Sequence, residues 1–251
     1  MNKRWYLRTD FKSGRVPYLL YLGCLLVLGF TTTPYVVGTV WYQERPPLFS
    51  INLYEYLMPV LAFCSSLIVA AVFRETYRVG VFKYLTALKP SLWQLLFKRL
   101  IALYLAVAVP LCLFLGAAFA RMQNRFEYFS LEYAEKNSQE YGFPVPELST
   151  VFPNILVQFL CAAAAFILIA LALMALTGDG KVSLLVILTY GVAEYFGFRH
   201  FYGKYGIITS ALAQFDQPEI LFPGYTKTHI ALSGVCLLLI VITTHKKLKL
   251  K

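Results

Sequence analysis

Long apolar runs alternate with short polar stretches along this chain, and the lengths of the runs decide what they are. Six nearly uncharged blocks fall at about 18–42, 53–73, 100–120, 153–176, 182–198 and 229–244. An α-helix needs about 20 apolar residues to cross a hydrocarbon core of about 30 Å. The pattern therefore predicts an all-α polytopic membrane protein with six transmembrane helices, forming a single domain over residues 1–251. Pro34, Pro59 and Pro110 lie inside the first three blocks and are expected to kink or hinge them. Pro153 opens the fourth block and suits the first position of a helix.

The polar stretches are as informative as the apolar ones. Residues 1–15 interleave Lys3, Arg4, Arg8, Lys12 and Arg15 with Trp5, Tyr6 and Phe11, the composition of a segment lying on a membrane surface. Between the second and third blocks, residues 74–99 carry six Lys or Arg and one acid, Glu75. On a helix, Tyr77, Val81, Tyr84, Leu85 and Leu88 share one face, with Lys83 and Thr86 opposite. Lys89-Pro90 ends that helix, because the residue before proline is pushed out of the α region, and Ser91 can cap the next one. The expected element is a short amphipathic basic helix joined to two spans. Residues 207–215 are apolar but too short to cross, so they predict a re-entrant or interfacial segment before the sixth span.

Composition agrees: 59% of residues are hydrophobic and 14% charged, with mean hydropathy +0.62. A net charge of +10 raises nucleic acid as a partner. Its distribution argues otherwise. With six spans, the side holding both termini has sixteen Lys or Arg against three acids, and the other side seven against ten. The basic excess thus marks the cytoplasmic side, placing both termini inside a multi-pass protein of the cell (plasma) membrane, and binds inner-leaflet lipid rather than nucleic acid.

Candidate chemistry is sparse. Gly178-Asp179-Gly180-Lys181 lacks the glycine and hydroxyl that a phosphate-binding loop needs, since Ala175 and Val182 stand in those places, so it reads as a tight turn over 177–181. The five cysteines sit one to a block without metal-ligand spacing and read as small buried apolar residues. His200, His229 and His245 lie near span ends as interfacial histidines. No metal, catalytic or ATP-binding motif is visible. Glu55 and Glu194 are the acids within spans and are candidates for a substrate pathway; each is placed about one turn from the outer surface, in reach of water or, for Glu194, of Arg199.

Phe73-Arg74-Glu75, Gly80, Tyr84-Leu85, Leu88, Pro90-Ser91 and Lys98 together resemble the connector of an ABC-2-type transporter permease, the membrane subunit of a bacterial ATP-binding-cassette exporter. The basic start, six spans and embedded segment before the sixth extend that resemblance over nearly the whole chain. It implies that the connector is a coupling helix docking on a cytoplasmic ATPase subunit through Glu75, Tyr77, Gly80, Val81, Tyr84, Leu85, Leu88 and Pro90. It implies also a second permease subunit, identical or related, and ATP with magnesium on the ATPase. This chain is then not an enzyme by itself and carries no cofactor. Acidic, aromatic outer loops suit export of an amphiphilic substrate such as a cationic antimicrobial peptide, with a lipid or drug as alternatives. The rival readings are a non-transporting membrane scaffold or sensor subunit and a lipid-modifying membrane enzyme.

Overall fold

A computed structural model describes residues 14–30, 50–77, 91–125, 148–194, 207–208 and 223–249, and every regular element among them is a helix. In chain order these are α1 (Gly14–Phe30), α2 (Ser50–Tyr77), α3 (Ser91–Arg125), α4 (Leu148–Thr177), α5 (Gly180–Ala193) and α6 (Pro223–Lys249). Four of them contain windows long and apolar enough to cross a membrane: Tyr56–Arg74, Leu96–Ala120, Phe152–Thr177 and Thr226–Lys246. α1 and α5 are apolar but shorter.

α4 is the hub. It holds no charged residue and carries four consecutive alanines, Ala162 to Ala165. Small side chains let neighbouring backbones come close, which is how helices gain packing where lipid removes the hydrophobic drive between them. α4 packs against α2, α3, α5 and α6. Its spanning window is 67% buried, against 28% in α3 and 22% in α6, so α4 is the inner element and those two are peripheral.

The outward faces are apolar and several inward side chains are polar. On α3, Phe97, Ile101, Leu105, Val109 and Leu113 recur every fourth residue and are exposed; on α6, Ile230, Val235, Leu238 and Val241 are exposed. Buried side chains include Ser65, Ser66, Gln158, Ser183, Glu194, His229 and Thr244. Water would not leave such large apolar faces uncovered, whereas lipid covers them without cost. The protein is a membrane protein.

α1 bonds to α3 in the turn before a proline. Pro110 of α3 has no N–H to offer the carbonyl one turn back, at Ala106. The adjacent carbonyl, Val107, accepts a 3.0 Å hydrogen bond from the buried Tyr21 hydroxyl of α1. Tyr104 of α3 similarly donates to the Leu160 carbonyl of α4 at 3.4 Å. Hydroxyls of two tyrosines thereby find acceptors on neighbouring helix backbone, as an apolar surrounding requires.

The expected turn between the fourth and fifth apolar blocks is present, and its residues explain it. Gly178 takes φ +75°, the left-handed conformation that ends helices, and its N–H donates to the Met174 carbonyl at 2.8 Å. Asp179 then caps α5: its backbone is extended and its carboxylate accepts from the Lys181 N–H at 2.9 Å. Gly180 lies against α2 so closely that an added Cβ would sit 2.9 Å from the Ala70 Cβ and 3.2 Å from its Cα. Ser183 fastens α5 to α4 by donating to the Ala170 carbonyl at 2.9 Å.

One expectation needs correction. Pro153 is not the first residue of its helix, because α4 begins at Leu148 and Pro153 lies inside it. The polar residues Ser149 and Thr150, read as loop, form the opening turn, where early N–H groups have no intrahelical partner anyway. The helix before the connector also runs further than the apolar block, to Tyr77, while α3 starts at Ser91, directly after the expected break at Lys89-Pro90.

The Gly180 contact makes a testable contrast. Gly180→Val should lower the thermal unfolding midpoint in mild detergent, costing about 1–3 kcal/mol through overpacking against α2. Gly234→Ala, with nothing within 4 Å of its added Cβ, should leave the midpoint unchanged or raise it slightly. Equal responses at the two sites would contradict the close α2–α5 approach.

Candidate functional site

A buried polar cluster lies where α4, α5 and α6 meet. It begins with Tyr190 and Glu194, one helical turn apart and therefore on one face of the last turn of α5. Glu194 is 1% exposed and stands at the C-cap of the helix. An acid is unfavourable there, because the helix dipole is negative at that end. Backbone donors offset this. The carboxylate accepts from the Ile207 N–H at 3.0 Å through Oε2 and from the Ile208 N–H at 2.9 Å through Oε1. Tyr190 also makes a side-chain hydrogen bond to Glu194 and one to the Ile207 backbone.

α6 closes the cluster from the other side. His229 is 1% exposed, and its Nε2 lies 3.1 Å from the Ile207 carbonyl. A carbonyl oxygen only accepts, so Nε2 carries the proton in this arrangement. The imidazole meets the Phe166 ring of α4 edge-on, centroids 5.8 Å apart at 86°. Ile208 itself is buried and its side chain packs at Gly191 of α5.

Depth follows from these contacts. Phe166 is near the middle of the Phe152–Thr177 window, so the His229 ring lies level with the middle of α4. On α5, the Ser183 bond to Ala170 fixes an antiparallel register that brings Glu194 level with about Phe159, roughly two turns from the Phe152 end of that window. Glu194, expected in reach of water or of Arg199, is buried in the bundle, and its oxygens bind backbone of the same chain. His229, expected near a span end, stands close to the start of the Thr226–Lys246 window and is buried within the bundle. Arg199 lies outside the described residues.

The other sequence candidates are not brought to this cluster by the described structure. Glu55 belongs to the first turns of α2, and Glu75 and Tyr77 to its last turn, so the start of the proposed connector is continuous with the second span. Gly80, Val81, Tyr84, Leu85, Leu88 and Pro90 lie outside the described residues. Among the described residues no group of three His, Cys, Asp or Glu is arranged to hold a metal. The thiols of Cys24 on α1 and Cys64 on α2 share a hydrogen bond, a packing contact between two residues read separately in the sequence.

Sequence reasoning missed Tyr190, His229 and the backbone of Ile207 and Ile208. The Tyr190-to-Glu194 spacing was a usable signal, since an acid and a hydroxyl four residues apart share a helical face. The bond from His229 to Ile207 spans 22 residues of sequence and left no periodic trace. Comparison with known protein families, curated proteins and solved structures finds no match to this chain.

Removing the hydroxyl in Tyr190→Phe should lower the unfolding midpoint by an amount corresponding to about 1–3 kcal/mol, the usual net worth of the two hydrogen bonds it makes. Tyr190→Leu should cost more, because ring packing is lost as well. An unchanged midpoint in Tyr190→Phe would remove the hydroxyl from the cluster.

Proposed function

We propose that this chain is the permease subunit of an ATP-binding-cassette exporter, crossing the cell membrane six times with both termini in the cytoplasm. The observation that supports this best concerns the two helices flanking the basic connector. α2 and α3 are 28 and 35 residues long, and each reaches the connector without a break from its spanning window. Force applied at residues 78–90 therefore enters two continuous helices, and α2 carries it directly into the hub through its packing on α4.

In this reading a cytoplasmic ATPase subunit docks on the connector face formed by Tyr77, Val81, Tyr84, Leu85 and Leu88. Closure of two such ATPases on ATP and magnesium pushes on the connectors of two permease subunits, identical or related. The bundle answers by rearranging about its proline-containing helices, α2 with Pro59 and α3 with Pro110. Coupling is mechanical, so the chain itself needs no catalytic group. The buried cluster fits that role as structure within the bundle, since its carboxylate and imidazole engage the peptide backbone. Glu55 and Glu194 are retained as candidate pathway residues, and the substrate class is an amphiphile: a cationic peptide, a lipid or a drug.

The test is purification from native membranes in mild detergent. The expected companion is a stoichiometric protein with a nucleotide-binding Walker A motif, lost when Tyr84 and Leu85 are both replaced by Glu while membrane insertion is retained. A protein that purifies alone under conditions preserving other membrane complexes would contradict the proposal and favour the scaffold or lipid-modifying enzyme reading.

A further inference from the structure

The dipeptide Ile207–Ile208 has an unusual set of partners. Its two N–H groups are held by one carboxylate on α5, and the carbonyl between them by an imidazole on α6. Neither residue belongs to a helix or strand, and Ile208 is 4% exposed. Irregular backbone survives at membrane depth only where protein groups satisfy it. Here side chains from two different helices supply that satisfaction, and the chain segment they hold is the one that links those same helices.

We propose that Ile207–Ile208 is a strap seated between α4, α5 and α6, with Glu194, supported by Tyr190, as its catch on α5 and His229 as its catch on α6. Glu194 and His229 are positioning residues. They keep the strap inside the bundle, and they also tie the end of α5 to the start of α6 through one peptide unit. Any motion that separates these two helix ends must break a catch. Once a catch opens, the strap's backbone groups lose hydrogen bonds in an apolar interior, and the strap moves toward water rather than remain there. Opening the strap admits water to the face of α5 that Ile208 covers at Gly191. The inference stands apart from the transport reading, because it concerns access to this site and needs no ATPase.

The test uses the full chain in sealed membrane vesicles with Ile208→Cys as a reporter and a membrane-impermeant maleimide as the probe. The native thiols, Cys24, Cys64, Cys112, Cys161 and Cys236, are replaced by Ala so that the label reports one position. With both catches present the reporter should stay unlabelled. Adding Glu194→Ala should speed labelling by about tenfold or more, since at least two hydrogen bonds are lost. Acetate should slow labelling again in that variant, by supplying a carboxylate to the two N–H groups, whereas equimolar chloride should not.

His229→Phe provides an independent arm if the Glu194 variant fails to accumulate. It keeps a ring against Phe166 and removes the bond to the Ile207 carbonyl while leaving Glu194 in place, so labelling should rise less and should not respond to acetate. Labelling rates that stay at the starting value in both variants would overturn the proposal. So would a fast Glu194→Ala rate that acetate leaves unchanged, since generic loosening of the bundle has no need of a carboxylate.

Discussion

Helix α4 imposes the main constraint on this protein, because it must be surrounded. It has no charge and little side-chain bulk in its middle, and its backbone groups are satisfied within the helix. Such a helix contributes no directional glue. What it offers is a smooth surface of Ala162, Ala163, Ala165, Ala170 and Ala172 on which α2, α3, α5 and α6 can approach closely. Direction comes from a few polar side chains placed on carbonyls: Ser183 on Ala170, Tyr104 on Leu160 and Tyr21 on Val107. Dispersion packing holds the bundle, and these bonds set its register.

The same economy governs the polar cluster. An acid and a histidine inside an apolar bundle are expensive unless every polar atom finds a partner. Glu194 and His229 find theirs on a short piece of irregular backbone that would itself be unstable without them. The arrangement is mutual: the side chains permit the strap, and the strap permits the side chains. It contrasts with the α4–α5 turn, where Gly178 and Asp179 solve the same backbone problem locally with one left-handed residue and one cap. Local solutions are rigid and belong to one connection, whereas the strap draws on two helices at once.

That contrast explains what was legible in the sequence. Apolar run length located the membrane-spanning part of α2, α3, α4 and α6, since each run maps onto one helix. The 177–181 turn was readable because its residues act on their immediate neighbours. The start of α4 was misplaced because Pro153 is a strong punctuator, and the turn before it has no apolar period. The partners of Glu194 were not legible, because they are the N–H groups of Ile207 and Ile208, more than a dozen residues away. His229 escaped for the same reason, being held by contacts to Ile207 and Phe166 on other parts of the chain. The connector residues from Gly80 to Pro90 are legible only as an amphipathic pattern and a family resemblance.

The central claim is that this membrane bundle is driven from its basic connector by a separate ATPase. A photo-activatable cross-linking residue in place of Leu85, illuminated in native membranes, tests it most directly. The account predicts one dominant protein adduct, whose mass spectrum identifies a cytoplasmic subunit with a Walker A motif. Adducts confined to lipid would contradict it, because the apolar face of the connector would then be covered by the membrane surface and not by a motor.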